Sequence, residues 1–273
     1  MFTGAPILPR ATLKLIILAG LFACTPLSAQ QTLPDWSGAW QRLGSTVFDP
    51  ATVEGEGQSG TPGVRQYPPY NEEWERKYEA NLALRDAGLY PDPISICGTP
   101  TGFPRILNMP DLYEFALTED EVWIIQENGP NLMRIYTDGR DHAPPDLRWP
   151  TYTGDSVGHW EGDTLVFDTL ALLSSEDGPT ILDRTGAILS DAAHIFTRMH
   201  LIATDTLEIE LTIHDEKALT EAWVVTRQYR RMPEGTRLYD YACAENNRNP
   251  VDLNTGRTLT LDAEGEILDR DLE

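Results

Sequence analysis

From residue 112 onward the chain repeats one pattern with a period of two. "LYEFALT", "EVWIIQE", "LMRIYTDG", "TLVFDTLAL", "HIFTRMHLIA", "LEIELTIHD", "AWVVTRQYR" and "RLYDYAC" are short runs rich in β-branched and aromatic residues, parted by polar or Gly/Asp-bearing turns. "TLTLDAEGEIL" adds a further hairpin. The connections are too short for crossover helices, which excludes a parallel α/β sheet. The expected fold is therefore mainly β. An antiparallel meander of this length hides its edge strands most simply by closing into a barrel, with a two-sheet sandwich as the alternative.

The segment ahead of the strands has a different periodicity. Asn71 is placed to cap a helix over about 71–88, with Glu72 and Glu73 beside the positive end of its dipole. Trp74, Tyr78 and Leu82 recur every four residues as one apolar stripe, and Gly88 with Pro91 ends the run. This helix is expected on the surface of the β body. Residues 41–70 are rich in Gly, Pro, Ser and Thr and read as extended chain. The organisation is thus a leader over 1–29, an extended arm over 30–70 and a single domain over 71–273.

The leader is read from its own chemistry. Arg10 and Lys14 precede the apolar run "LIILAGLFAC", and "TPLSA" ends in a small residue suited to cleavage after Ala29, the layout of a secretory signal peptide. The run is too short to span a bilayer, so no membrane insertion of the mature form is expected. "LFAC" also reads as an imperfect lipobox that would anchor the chain at Cys24. The expected location is periplasmic or secreted. Losing the leader removes two cations and no acid, taking the formal charge from −22 to −24. With its cations dispersed among acids, such a surface does not suit nucleic acid. Only Cys97 and Cys243 then remain, and two cysteines in an oxidising compartment point to one disulfide.

"DWSGAW", "IYTDGRDH", "GDSVGHWEGDTLVFDT" and "YACAEN" together resemble a largely uncharacterised family of exported bacterial proteins, in which DGR and WEGDTLVV-type signatures follow in this order. More remotely, Gly38-Ala39-Trp40 and the W-x-G-D-T-L hairpin resemble lipocalin and fatty-acid-binding barrels, the calycin group. The resemblance implies a lipocalin-like barrel with an internal cavity for an apolar small molecule. It transfers no catalytic residues.

Within "HWEGD", Gly162 suits the left-handed position of a tight hairpin, which sets Glu161 and Asp163 at a solvated tip and turns Trp160 inward. The functional alternative makes His159 and Glu161 a proton-transfer pair. In "TDGRDH", Asp138-Gly139 marks a turn and Arg140 is either a salt-bridging surface residue or a clamp for a carboxylate or enolate oxygen. His142, Asp141 and Asp146 show no metal spacing, and neither HExxH, an EF-hand loop, a P-loop, a strand-GxGxxG-helix nor a GxSxG elbow occurs. No metal or cofactor is expected.

The 194–214 hairpin holds the main alternative. His194, Phe196, Arg198 and His200 share one strand face, and Leu207, Ile209, Leu211 and Ile213 share a face of the next strand. An even-length loop around Thr204-Asp205 brings these two sets together inside the barrel. An odd one sends Arg198 and His200 outward, against Glu208 and Glu210, and buries no unpaired charge.

Two function classes follow. One is a cofactor-independent lyase, isomerase or cyclase, with His194 or His200 moving a proton, Arg198 holding oxyanion charge, and Arg140, Tyr152 and Phe196 contacting an apolar substrate. The other is a non-catalytic periplasmic carrier of an apolar small molecule. A carbohydrate-active enzyme, using Asp155 with Glu161 across a cleft, is a further alternative.

Overall fold

The computed structural model describes residues 1, 32–44, 46, 48, 68–87, 101–128, 131–174 and 180–239. The chain divides into two units, Met1–Thr32 and Leu33–Glu273, and the fold is that of the second. Cys24, Cys97, Cys243 and the 258–268 hairpin lie outside the described residues. So does most of "RLYDYAC", whose residues 237–239 form no strand.

The strands are β1 (Trp40–Arg42), β2 (Leu112–Leu117), β3 (Glu121–Gln126), β4 (Asn131–Tyr136), β5 (Asp155–Glu161), β6 (Thr164–Leu170), β7 (Thr180–Ile181), β8 (Ile188–Leu189), β9 (His194–Ala203), β10 (Thr206–His214) and β11 (Trp223–Arg231). Nine of them close into a barrel in the order β1-β11-β10-β9-β6-β5-β4-β3-β2, and β7 pairs with β8 in a separate two-stranded sheet. A barrel, not a sandwich, is therefore what hides the edges. The pairing is antiparallel except between β4 and β5, which run parallel at Tyr136 and Val157. The long 137–154 connection makes that reversal.

Closure depends on a strand inside the segment expected as an arm. β1 pairs with β11 and β2, placing Trp40 opposite both Arg231 and Tyr113. Trp40 is wholly buried and its Nε1 donates to the Trp36 carbonyl at 2.9 Å. The Arg231 guanidinium lies 4.4 Å over the Trp40 ring and donates to the carbonyls of Ser37 and Asp35. One cation thus pins the entering chain to the last strand.

Alternation fills the interior. Ile195, Met199, Leu207, Ile209, Leu211 and Ile213 point inward and are fully buried. They meet an aromatic cluster in which Trp36 lies 5.4 Å from Trp160 and Tyr113 lies 5.1 Å from Tyr229. Trp160 faces inward as the hairpin reading requires. The helix α1 (Glu72–Asp86) is capped by the Asn71 side chain, which accepts from the Glu73 and Trp74 amides. It buries Trp74 and Tyr78 and packs on the segment ahead of β8, where Tyr78 meets Thr185 and Asn81 donates to the Gly186 carbonyl. Among the described residues no helix is long and apolar enough to cross a membrane.

Candidate active site

Two-residue alternation puts Asp155 on β5, Asp168 on β6 and His194 on β9 on the outward face of the barrel wall. The β5–β6 and β6–β9 registers bring them to the same end, with Asp155 opposite Leu170, and Asp168 opposite Val157 and Phe196. The 137–154 connection then lays His142 across them. His142 Nδ1 stands 3.0 Å from Asp155 Oδ2 and its Nε2 stands 2.9 Å from Asp168 Oδ2. His194 Nε2 reaches the same Asp168 oxygen at 2.6 Å. Asp155 Oδ2 also accepts the Ala143 amide, while Arg148 donates its Nε–H to the Ala143 carbonyl and lies 3.8 Å from Asp155.

The result is a continuous row, Asp155, His142, Asp168, His194. From His142 onward side-chain exposure rises, from 15% through the 25% of Asp168 to the 34% of His194, so that part of the row runs from cover toward solvent. His194 Nδ1 makes no hydrogen bond to a described residue. Its ring lies 4.2 Å from that of Phe196, which in turn meets His214 edge-on at 5.6 Å. Phe196 is exposed, as are Leu147, Trp149 and Tyr152 of the neighbouring connection. A histidine oriented by a carboxylate through one nitrogen and open at the other is the arrangement of a general acid or base. Among the described residues no three His, Cys, Asp or Glu side chains are arranged to hold a metal ion.

The other candidates lie elsewhere. The reading that places His194, Arg198 and His200 inside the barrel is corrected, since all three face outward. The reason lies in the turn. β9 and β10 are joined by the two-residue turn Thr204-Asp205, an even loop, but a bulge beside Thr206/Leu207 inserts one residue and pairs Leu207 with Leu201. Arg198 then opposes Glu210 and His200 opposes Glu208. Arg198 donates to Glu161 at 3.0 Å, and His159 lies 3.4 Å from Glu161, so these three form an exposed group at the hairpin tip. The Arg198 hydrogen bond, followed by that of His159, holds the Glu161 carboxyl below its ordinary value. His200 Nδ1 is covered and makes no hydrogen bond to a described residue, and His200 does not join His194.

Arg140 is engaged in place. It donates from Nε and Nη2 to Asp138, as close as 2.6 Å, and its guanidinium lies 3.9 Å over the Tyr136 ring, which is the salt-bridging reading and not the clamp. The Asp155 and Glu161 pair is also corrected. The two stand at opposite ends of β5, six residues or roughly 20 Å apart, beyond the separation that glycoside hydrolysis needs. Sequence reasoning passed over His142 and Asp168. His142 lacks metal spacing and Asp168 is one of several outward positions on its strand, and nothing local joins residues 26 apart along the chain.

A second polar group lies within the core. Arg42 is buried, and its Nη atoms donate to the carbonyls of Leu43 and Gly44. Arg227 donates from Nε to Asn108 Oδ1 at 3.1 Å. Burial first, and the neighbouring Arg42 next, push the Arg227 guanidinium down to about 10. Burial likewise lowers Arg42 and raises the Tyr113 and Tyr229 hydroxyls.

No protein-family model and no curated protein matches the chain. Among solved structures it is similar to the fluorescent protein UnaG, with 17% identity and a TM-score of 0.27 over 52% of this chain and 88% of that one. It is also similar to a secretary abundant heat soluble protein from Ramazzottius varieornatus, with 12% identity and a TM-score of 0.30 over 72% of this chain and 95% of that one.

Proposed function

We propose that this is an exported ligand-binding barrel that performs cofactor-independent acid–base chemistry, of lyase, isomerase or cyclase type, on a small and mostly apolar molecule. His194 is the group that exchanges a proton with the substrate. The observation that carries this reading is the 2.6 Å contact of His194 Nε2 with Asp168, which orients the ring and leaves Nδ1 open beside the exposed Phe196. The substrate then rests against the outward wall formed by β6, β9 and the 137–154 connection. Arg198 is held by Glu161 and is not the oxyanion partner in this scheme.

The test is a panel of apolar metabolites bearing an acidic C–H, incubated in deuterated buffer and followed by NMR for turnover and for deuterium uptake. Conversion that is lost in His194→Gln and kept in His200→Gln is expected. Binding without conversion, unchanged in His194→Gln, overturns the enzyme reading. Export is tested on the same material, since a mature chain beginning at Gln30 supports cleavage after Ala29 and a lipid-modified Cys24 contradicts it.

One observation favours a carrier as the second reading. Among the described residues Arg42 Nε and Asn108 Nδ2 are buried donors without a hydrogen-bond partner, and the Arg42 Nη atoms donate to backbone carbonyls. A small anionic group bound there would supply the acceptors. Arg42→Met weakening retention of an anionic ligand, with His194→Gln leaving it unchanged, selects that reading.

A further inference from the structure

His142 has no part in the proton exchange just proposed, yet it is the most enclosed member of the row and touches the carboxylate that His194 depends on. Both of its nitrogens face carboxylate oxygens, at 3.0 Å on Asp155 and 2.9 Å on Asp168. An ionised carboxylate only accepts, so both contacts are hydrogen bonds only when the ring carries a proton on each nitrogen. A neutral ring would turn one lone pair onto a carboxylate oxygen. With a proton on each nitrogen His142 donates to both carboxylates, and Asp168 Oδ2 then serves two histidines with one charge.

We propose that His142 is a positioning residue for His194: clamped between Asp155 and Asp168, it offsets the charge of the carboxylate that the two histidines share, leaving His194 able to take up a proton at Nδ1. This rests on the reading of His194 as the acid–base group. Without His142 the whole charge of Asp168 would fall on His194 and strengthen its hold on the second proton. With His142 present, Asp168 still orients the ring through Nε2 while its pull on the second proton is divided. The surroundings of His194 supply few other charges. β6 presents Asp168 and β10 presents His214 directly opposite in register. On its own strand Phe196 is neutral and Arg198 is paired with Glu161. Asp155 and Arg148 stand behind His142.

A readout exists that needs no substrate. Diethyl pyrocarbonate modifies unprotonated imidazole nitrogen, and the chain has five histidines that peptide mass mapping can follow separately. The rate of His194 modification is measured against pH in the native chain, in His142→Gln and in His142→Ala. The native midpoint is expected to rise by about one pH unit in both variants, because the undivided charge of Asp168 then falls on His194. The midpoints of His159 and His214 are expected to stay put. An unmoved His194 midpoint in a folded variant overturns the proposal, whatever happens to the melting temperature, since a purely structural His142 would alter stability alone. If His142→Ala does not fold, His142→Gln, which keeps a neutral donor toward Asp168, decides. A raised midpoint without turnover of any panel compound removes the proposed function and leaves the coupling; turnover with an unmoved midpoint does the reverse.

Discussion

The β5–β6 hairpin carries a histidine–carboxylate group at each end, one of two histidines and two aspartates, the other of a histidine, a glutamate and an arginine, and they differ in almost every physical respect. At one end His142, Asp155, Asp168 and His194 come from three strands and a connection, and make contacts of 2.6 to 3.0 Å. At the other, His159, Glu161 and Arg198 make contacts of 3.0 and 3.4 Å on side chains with relative exposures of 64%, 49% and 47%. Water and salt screen the second group, and each exposed pair contributes little. The first is sheltered, so its charges act on one another and its geometry is held by the barrel wall. Residue type proposes a site, and enclosure by several elements decides whether there is one.

Changes along this hairpin grade the difference. The largest effect is expected between the two groups, at Gly158, which faces inward. A Cβ there would stand 2.4 Å from the Val166 carbonyl oxygen and 2.5 Å from the Phe167 Cβ. Gly158→Val should cost about 3 kcal/mol or more, read from urea unfolding, and a stable variant would break the picture of a tightly closed hairpin. Next comes Asp168→Ala, which strips two histidines of their shared acceptor. A loss of about 2 to 3 kcal/mol is expected, and a change below about 0.5 kcal/mol would place the enclosed group on a par with the exposed one.

Smaller effects belong to the tip. Glu161 pairs with Thr164 across the two-residue turn Gly162-Asp163, and Gly162 has φ +62°, the pattern of a type II′ turn. Nothing lies within 4 Å of a Cβ added there, so Gly162→Val is opposed by backbone conformation alone and should cost about 1 to 2 kcal/mol.

The least effect is expected from Glu161→Gln, whose melting temperature at neutral pH should lie only slightly below that of the native chain. Its pH dependence has a definite sign. Arg198 and then His159 hold the folded-state value below 4.5, so the group stabilises above that ordinary value and its contribution fades as pH falls through the folded one. Native and variant melts should converge on acidification; divergence would mean that Glu161 has another role.

Much of the fold was legible because it is written in local pattern. Period-two alternation located β2, β3, β4, β6, β9, β10 and β11, and the Asn71 cap with the Trp74 and Tyr78 stripe located α1. The inward turn of Trp160 and the left-handed Gly162 followed from the same local rules. Less legible was β1, because three residues beside a Gly- and Pro-rich segment carry too little pattern to mark a strand. What makes Trp40 to Arg42 a strand is two neighbours, β2 and β11, that lie far along the chain.

The sequence by itself determined a mainly β chain, the faces of its strands and the turn at Gly162, since each depends on residues within a few positions of one another. Only the tertiary structure decided which faces point where and which polar residues meet. A single bulged residue beside Thr206/Leu207 turned the outcome of an even loop into that of an odd one, and with it sent His194, Arg198 and His200 outward. The meeting of His142 with Asp155 and Asp168 needed the parallel placement of β5 beside β4, because a connection that reverses direction across the barrel wall drags His142 over strands it would otherwise leave behind. Spacing along the chain carries no record of such a crossing. The carboxylate oxygen on which His142 and His194 converge exists only once the barrel has closed around its register.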